Sequence, residues 1–510
     1  VSGFVTTAPA RAPEPTRLTA DLLRDAAGAH PEREAYVHGE KRVTYAWLDR
    51  AADGFAATLL ELGVTRGQVV CLMLASSIKF AACYLGALRA GAITSAVNLR
   101  LGPAEVASIL TRTEPVITVV GDGASVPGEA DPGTVLHVSD LGKAFGHQPV
   151  PPEQLPRLFP TDPTCVVWTS GTTGAPKGAV YDHDAQAAIS RNIGELTRPG
   201  DRRLVVLPFA HVGYMTRMWD ELRHCTTLVV AGEPWQAAET LRLIREEGVT
   251  MATGVPTQWS LVLDHPDLAS TDFSRVRVAG LGGASIAPDL VHRMREVLDC
   301  PVITRYASTE AGVATSTRAG DPDDIVAATV GRPAPDVALR IVDRDGKPVA
   351  TGEVGEVTCR SPAMMRGYWR DPEGTAAVID ADGFLHTGDL GVLGPDGNLQ
   401  IVGRLKEMYI RGGYNVYPAE VEAALAAHPA VARAAVVGVP DPVLGEVGVA
   451  FVVAVSAAAA PDLDVLRAWC RARLADYKAP DRLELLDELP VTSMMKVDKH
   501  ELTARVSPED

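Results

Sequence analysis

Apolar positions along the first two thirds of the chain follow two alternating rhythms. Over residues 18–30, Leu18, Leu22, Leu23 and Ala26 recur at helical spacing. Thr44 stands as an N-cap before a second helical pattern that runs to Leu62. Short continuous apolar runs predict buried strands at 69–74, 116–120, 165–169, 203–207, 227–230 and 302–304. Helical patterns at 77–90, 236–247 and 287–298 lie between several of them. Strands alternating with helices predict an α/β core built on parallel sheets.

From about Gly331 the texture changes. Short strand patterns at 337–342 and 355–359 alternate with Asp345-Gly346, Asp382-Gly383 and Pro395-Asp396-Gly397, which is hairpin chemistry. After Arg404 a compact α+β pattern follows. A helix over 420–428 is stopped by Pro429, strands are expected at 434–439 and 449–455, and a helix at 465–476 carries Val465, Leu466, Trp469 and Leu474 toward a core.

Composition narrows the function classes. A chain of 510 residues is expected to hold two to four domains. The net charge of −16 disfavours non-specific nucleic-acid binding, because phosphate contacts need a basic surface. Any anionic substrate has to be met by local positive groups. Seven scattered cysteines form no Cys-x-x-Cys pair, so neither a disulfide framework nor a zinc site is expected, and a reducing cytoplasm fits. The longest apolar run, 449–460, is about half a membrane span, and residues 1–15 lack a signal-peptide pattern.

The densest chemistry lies in Thr169-Ser170-Gly171-Thr172-Thr173-Gly174-Ala175-Pro176-Lys177-Gly178, directly after a buried strand. Glycines bring backbone N–H groups close to a ligand, and hydroxyls and a lysine add donors and charge, which suits a polyphosphate. Lys177 follows Pro176 and precedes Gly178, so this is not the Gly-Lys-Ser/Thr loop of the common nucleotide triphosphatases. Four further motifs follow: Arg305-Tyr306-Ala307-Ser308-Thr309-Glu310, His386-Thr387-Gly388-Asp389-Leu390, Gly403-Arg404-Leu405-Lys406-Glu407 with Arg411-Gly412-Gly413-Tyr414-Asn415-Val416-Tyr417-Pro418, and Met494-Met495-Lys496-Val497-Asp498-Lys499. A carboxylate at a strand's carboxyl end is placed to hold Mg²⁺ on a nucleotide. Taken singly, each motif has a plainer reading. Glu310 fits a helix N-terminus, Asp389 a turn, Arg404 and Lys406 a solvated pair, and Lys496 a charged tail.

In this order and at these intervals, the set resembles the adenylate-forming superfamily of acyl-CoA synthetases, peptide-synthetase adenylation domains and luciferases, over roughly residues 20–503. The resemblance implies a large N-terminal domain, 1–403, of two α/β sheets plus a small β-barrel (331–403). It also implies a hinge at 404–406 and a smaller mobile α+β lid, 407–510. It implies that a carboxylic acid attacks the α-phosphorus of ATP to give an acyl-adenylate and pyrophosphate. Coenzyme A, or possibly an acyl-carrier protein, then takes the acyl group. In that scheme Thr169, Ser170, Gly171, Thr172, Thr173, Gly174 and Lys177 cradle phosphates. Glu310 ligates Mg²⁺, and Thr309 contacts the α-phosphate. Gly282, Gly283, Ala284 and Tyr306 bracket the adenine, and Ala307 and Ser308 also count among the nucleotide-binding residues. Asp389 and Arg404 hold the ribose. Lys496 bridges carboxylate and phosphate, with Lys177, Thr309 and Glu310 beside it in the catalytic set. Lys406 is the hinge residue, and a strand carrying Gly412 and Gly413 lines the tunnel for the thiol.

Three departures stand out: Met495 where glycine is usual before the lysine, Lys499 where arginine is usual, and Ala307 where glycine is usual. The acyl pocket is expected from His211, Val212, Tyr214, Met215, Val255 and Ala307. No acidic residue occurs between Leu207 and Arg217 to pair an ammonium group, so an α-amino acid is disfavoured and a fatty, aryl or alicyclic acid is expected. The alternatives are an adenylating enzyme that serves a carrier protein or one half-reaction, and a catalytically silent nucleotide-binding homologue. A cytoplasmic monomer or homodimer without nucleic-acid partners completes the expectation.

Overall fold

The computed structural model describes residues 5–6, 17–147, 149–169, 176–284, 286–456, 458, 460–492 and 496–506. Of the positions named above, Ser170, Gly171, Thr172, Thr173, Gly174, Ala175, Met494 and Met495 lie outside the described residues.

Two α/β sheets dominate. The first has six strands in the order Thr134–His137, Ile117–Val120, Val69–Met73, Ile93–Ala96, Pro163–Thr169 and Lys177–Asp182. All its pairs are parallel except the last. The second has nine strands, and its parallel centre runs Val302–Ser308, Val278–Gly282, Met251–Gly254, Arg202–Val205, Thr227–Val230 and Glu34–His38. The helix Tyr45–Glu61 begins where the sequence places it, with the Thr44 side chain accepting from Trp47 N–H. Ser77 caps the helix Ile78–Arg89 in the same way, through Phe80 N–H. One continuous core joins residues of both sheets with the helices between them, including Phe55, Phe80, Tyr84, Tyr181, Phe209 and Tyr214.

Two central strands, Met251–Gly254 and Val278–Gly282, were not expected from the apolar pattern. Glycine interrupts both, and the structure shows why it is there. A Cβ on Gly280 would meet Thr253 Cγ2 at 2.8 Å, and one on Gly282 would meet the Arg305 carbonyl oxygen at 2.8 Å. The strands pack too closely for side chains at those points.

The β-rich segment 331–403 joins Val5–Thr6 in a five-stranded antiparallel sheet, in the order Val5–Thr6, Ala338–Val342, Val354–Arg360, Leu385–Leu393 and Leu399–Arg404. Among the described residues the first and last strands of this order are not paired. A separate sheet begins at Tyr409–Arg411 and contains Tyr414–Val416, Gly445–Ala454, Val431–Asp441 and Arg482–Leu485. The helices Pro418–Ala426 and Leu463–Arg471 supply residues to one core on this sheet, and Lys499–Val506 to another.

Lys499 has a structural role. Its ammonium lies 2.7 Å from Glu407 and 2.8 Å from Glu422, tying the last helix to the chain just past Arg404. Burial works against its charge, but the two carboxylates overcome that and raise its pKa. Lys499→Ala should lower the stability of this C-terminal unit by about 2 kcal/mol, because two carboxylates lose their shared cation. The loss should appear as a lower urea midpoint that Lys499→Arg largely restores. An unchanged midpoint would mean that solvent already screens the pair.

Candidate active site

The site begins at the open end of the six-stranded sheet. The antiparallel pair Pro163–Thr169 and Lys177–Asp182 ends with Thr169 opposite Lys177, and Thr169 Oγ1 donates to the Lys177 carbonyl at 3.3 Å. Both ends of the Gly/Ser/Thr-rich connection are therefore fixed. Lys177 Nζ sits 5.0 Å from the Tyr368 ring centroid, and the Tyr368 hydroxyl donates to Glu310 Oε1 at 3.1 Å. Residues 366–369 are zipped onto the strand Lys177–Asp182: Arg366 N–H donates to the Val180 carbonyl, and Trp369 N–H to that of Gly178. The Arg366 guanidinium grips Asp182 with two bonds, of 2.6 and 2.8 Å. Sequence reasoning missed Tyr368, Arg366 and Asp182. Their only signal is a glycine, Gly367, set before two aromatics.

Glu310 and Thr309 follow the strand Val302–Ser308. The Tyr181 hydroxyl donates to the Thr309 carbonyl at 2.6 Å, Met365 N–H donates to the Glu310 carbonyl at 2.9 Å, and Ser308 Oγ accepts from Ala311 N–H at 3.0 Å. On the same strand the Tyr306 hydroxyl donates to Asp389 Oδ2 at 2.6 Å. Asp389 pairs across its sheet with Arg404, whose Nε lies 3.0 Å from Asp389 Oδ1. Burial first, and then the Asp389 charge, push the Tyr306 hydroxyl pKa far up, so it stays a donor. The backbone turns into Asp389 through Gly388, at a φ of 70°, and the Gly388 carbonyl accepts from Leu405 N–H.

Lys496 reaches this group from the far end of the chain. Val491 and Val497 form a bridge, and Thr492 N–H donates to the Lys496 carbonyl at 2.7 Å, which fixes the backbone at Lys496. Lys496 Cε would lie 3.9 Å from a Cβ on Gly283, which has a φ of 81°, and Val255 Cγ1 would lie 3.7 Å from it. This gap between Lys496 and Val255 is a cradle that a side chain would fill. Burial and then Arg404 pull the Lys496 pKa down, while Asp389 and Glu310 act the other way. His211 is held neutral, its pKa depressed to about 3 by burial and then by Lys496. His211 Nδ1 accepts from Gly213 N–H at 3.1 Å, so the neutral ring carries its proton on Nε2.

Lys177, Thr309, Glu310, Tyr306, Asp389, Arg404, Gly283, His211, Val255 and Lys496 thus belong to one connected region. Gly282 leads into it, and Ala284 and Ala307 are exposed beside it. Two expected pocket residues do not fit. Tyr214 stacks on Phe209 with centroids 3.6 Å apart and shares a 2.8 Å hydrogen bond with Tyr36, and Met215 has no exposed surface. Both face the main core, because the short helix Val212–Met215 turns them inward and leaves His211 and Val212 partly accessible. Gly412 and Gly413, expected on a strand, instead form the turn between Tyr409–Arg411 and Tyr414–Val416, with φ of 56° and 87°. A Cβ on Gly413 would meet nothing within 4 Å. Lys406 lies in the turn after Arg404.

The donor set suits a nucleotide carrying its own metal. No group of three or more His, Cys, Asp or Glu side chains placed to hold a metal ion occurs among the described residues. A divalent cation at Glu310 would therefore take most of its ligands from phosphate oxygens and water, which is the habit of Mg²⁺. No described helix is long and apolar enough to cross a membrane.

Comparisons with known proteins agree with this geometry. The family model described as "AMP-binding enzyme" matches residues 23–369, and that described as "AMP-binding enzyme C-terminal domain" matches residues 420–496. The chain is 35% identical to "3-[(3aS,4S,7aS)-7a-methyl-1,5-dioxo-octahydro-1H-inden-4-yl]propanoyl:CoA ligase" of Rhodococcus jostii (strain RHA1), over 96% of this chain and 98% of that protein. It is 34% identical to a feruloyl-CoA synthase of Amycolatopsis sp, over 93% and 96% of the two chains. Among solved structures, the amide bond synthetase McbA from Marinactinospora thermotolerans matches with a TM-score of 0.86 and 30% identity, over 96% of this chain and all of that one.

The depressed His211 pKa has a consequence for stability. Between pH 6.5 and about 3 the unfolded chain binds a proton at this residue that the folded chain refuses. Its contribution is complete above pH 6.5 and falls away with acidification. His211→Asn should flatten the pH dependence of the urea midpoint between pH 7 and 5 by on the order of 1 kcal/mol. Parallel profiles for the two proteins would show that folding leaves the His211 pKa unshifted.

Proposed function

The chain belongs to the family of AMP-binding enzymes, and we propose that it activates a hydrophobic carboxylic acid with ATP, releasing pyrophosphate, and then transfers the acyl group to coenzyme A with release of AMP. The observation that carries this reading is the meeting of Lys496, from the C-terminal unit, with Glu310, Asp389, Gly283 and His211 of the preceding domain.

The chemistry follows from charge. A carboxylate must approach a polyphosphate, and Coulomb repulsion between them grows as water is excluded. Lys496 meets the attacking carboxylate and the α-phosphate, and Lys177 faces the departing pyrophosphate. Thr309 adds a hydroxyl at the α-phosphate. Mg²⁺ held at Glu310 would neutralise phosphate charge. Asp389 exchanges its present donors for ribose hydroxyls, with Arg404 steadying it. Tyr306, Gly282, Gly283 and Ala284 border the base. His211 and Val212 close the mouth of the acyl pocket, where the Nε2 proton can donate to a carboxylate oxygen. For the second step the unit beyond Arg404 turns about Lys406 and withdraws Lys496, and the Gly412-Gly413 turn approaches to admit the thiol. A cytoplasmic setting supplies ATP and CoA.

The acid class draws support from the lack of any acidic residue between Leu207 and Arg217 and from the two relatives named for alicyclic and aryl acids. The amide bond synthetase among the structural neighbours favours a second reading of the last step, in which an amine takes the acyl group. A carrier-protein thiol is the third possible acceptor. The retained Lys496, Glu310 and Asp389 argue against a silent homologue.

Lys496→Ala should slow acid-dependent ATP–pyrophosphate exchange by on the order of 10²–10³-fold, the cost of losing one preorganised charge at the transition state. Transfer from preformed acyl-adenylate to CoA should fall far less. Exchange that survives the substitution unchanged would remove Lys496 from the adenylation step. Acyl-AMP offered CoA, an amine or a carrier protein identifies the acceptor by the product formed.

A further inference from the structure

One charged side chain beside this site has no hydrogen-bond or ion-pair partner among the described residues. Arg305 lies on the strand Val302–Ser308, two residues before Ala307 and directly opposite Gly282, which leads to Gly283. Its charged neighbours are Arg217, Arg203 and Asp220, on the strand Arg202–Val205 and the chain that continues from His211 into the helix Met218–Arg223. Arg305 thus lies between the strand that carries Ala307 and the segment that begins at His211.

The two carboxylates of this cluster are already engaged. Asp220 accepts from Ser190 Oγ at 2.7 Å, from Thr197 Oγ1 at 2.8 Å and from Arg217 at 3.0 Å. Glu221 lies 2.7 Å from Arg203 Nε and 3.4 Å from Arg217 Nε. Three guanidinium groups therefore face two carboxylates. No hydrogen bond or ion pair reaches the Arg305 side chain among the described residues, and part of its surface remains accessible. Burial, then Arg217 and Arg203, depress its pKa to about 9, which still leaves it charged at neutral pH. A guanidinium kept from water without a partner is costly, and its planar fork matches a pair of acceptor oxygens.

We infer that Arg305 is a specificity-determining residue at the deep end of the acyl pocket, and that the favoured acid carries a second oxygen acceptor, a carbonyl or a carboxylate, remote from the carboxylate that reacts. This rests on the acid-activating reading and refines its hydrophobic substrate: an apolar body with a polar far end.

The test uses pairs of acids matched in length and ring size, one member ending in a ketone or a carboxylate and the other in a methylene or methyl group. Wild-type ATP–pyrophosphate exchange should favour the oxygenated member by at least 10-fold in kcat/KM, since a site built to pair a polar group rejects the analogue that lacks it. The ketone and carboxylate arms distinguish the two acceptors. Arg305→Met should abolish the preference, chiefly by loss of the oxygenated acid, and Arg305→Lys should restore part of it. Hydrocarbon acids that match or exceed their partners in wild type, or a preference that survives Arg305→Met, would overturn the inference. The wild-type comparison needs no variant to fold. Calorimetric titration of the same pairs reads the preference without turnover. Exchange absent with every acid would sink the activating reading, whereas calorimetric indifference to the far oxygen would sink this one.

Discussion

The site depends on holding the Lys496 charge out of bulk water among groups of both signs. Burial and Arg404 oppose that charge, and Asp389 and Glu310 support it. A lysine so placed is stable only if both carboxylates keep their positions. Much of the surrounding structure serves that end. Tyr306 and Arg404 fix the two oxygens of Asp389, and Tyr368 fixes Glu310 while its ring takes Lys177. The Lys499 ion pairs anchor the segment that carries Lys496. Carboxylates and lysines are drawn from four stretches of chain, and tyrosine hydroxyls set the distances between them.

Much of this was legible in the sequence, but unevenly. Apolar runs and caps marked local elements well, and Thr44 and Ser77 cap the helices they were expected to open. Strands containing glycine escaped notice, because Gly280 and Gly282 are set by the closeness of neighbouring strands, which periodicity does not record. In the site, residues inside dense motifs were found. Tyr368 was not: its partner Glu310 lies 58 positions away, and nothing local announces the hydrogen bond. The pocket expectation failed at Tyr214 and Met215 for a geometric reason. Consecutive residues of a helix point in different directions, so a motif that lines a pocket at its first residues turns into the core within one turn.

The two sides of the site are balanced differently. On the nucleotide side the polar groups already satisfy one another: both oxygens of Asp389 have donors, and Glu310 has Tyr368. Ligand hydroxyls arriving there would trade one hydrogen bond for another, and such exchanges contribute little net free energy each. Their value is orientation, which suits a cosubstrate shared by a whole family. On the side proposed for the acid, Arg305 carries a charge that no hydrogen bond or ion pair among the described residues completes. A ligand that supplies the missing acceptor gains the desolvation cost the protein has already met, and one that lacks it leaves that cost in place. Discrimination between acids is therefore expected to concentrate at the unpaired group, and the shared chemistry at the paired ones.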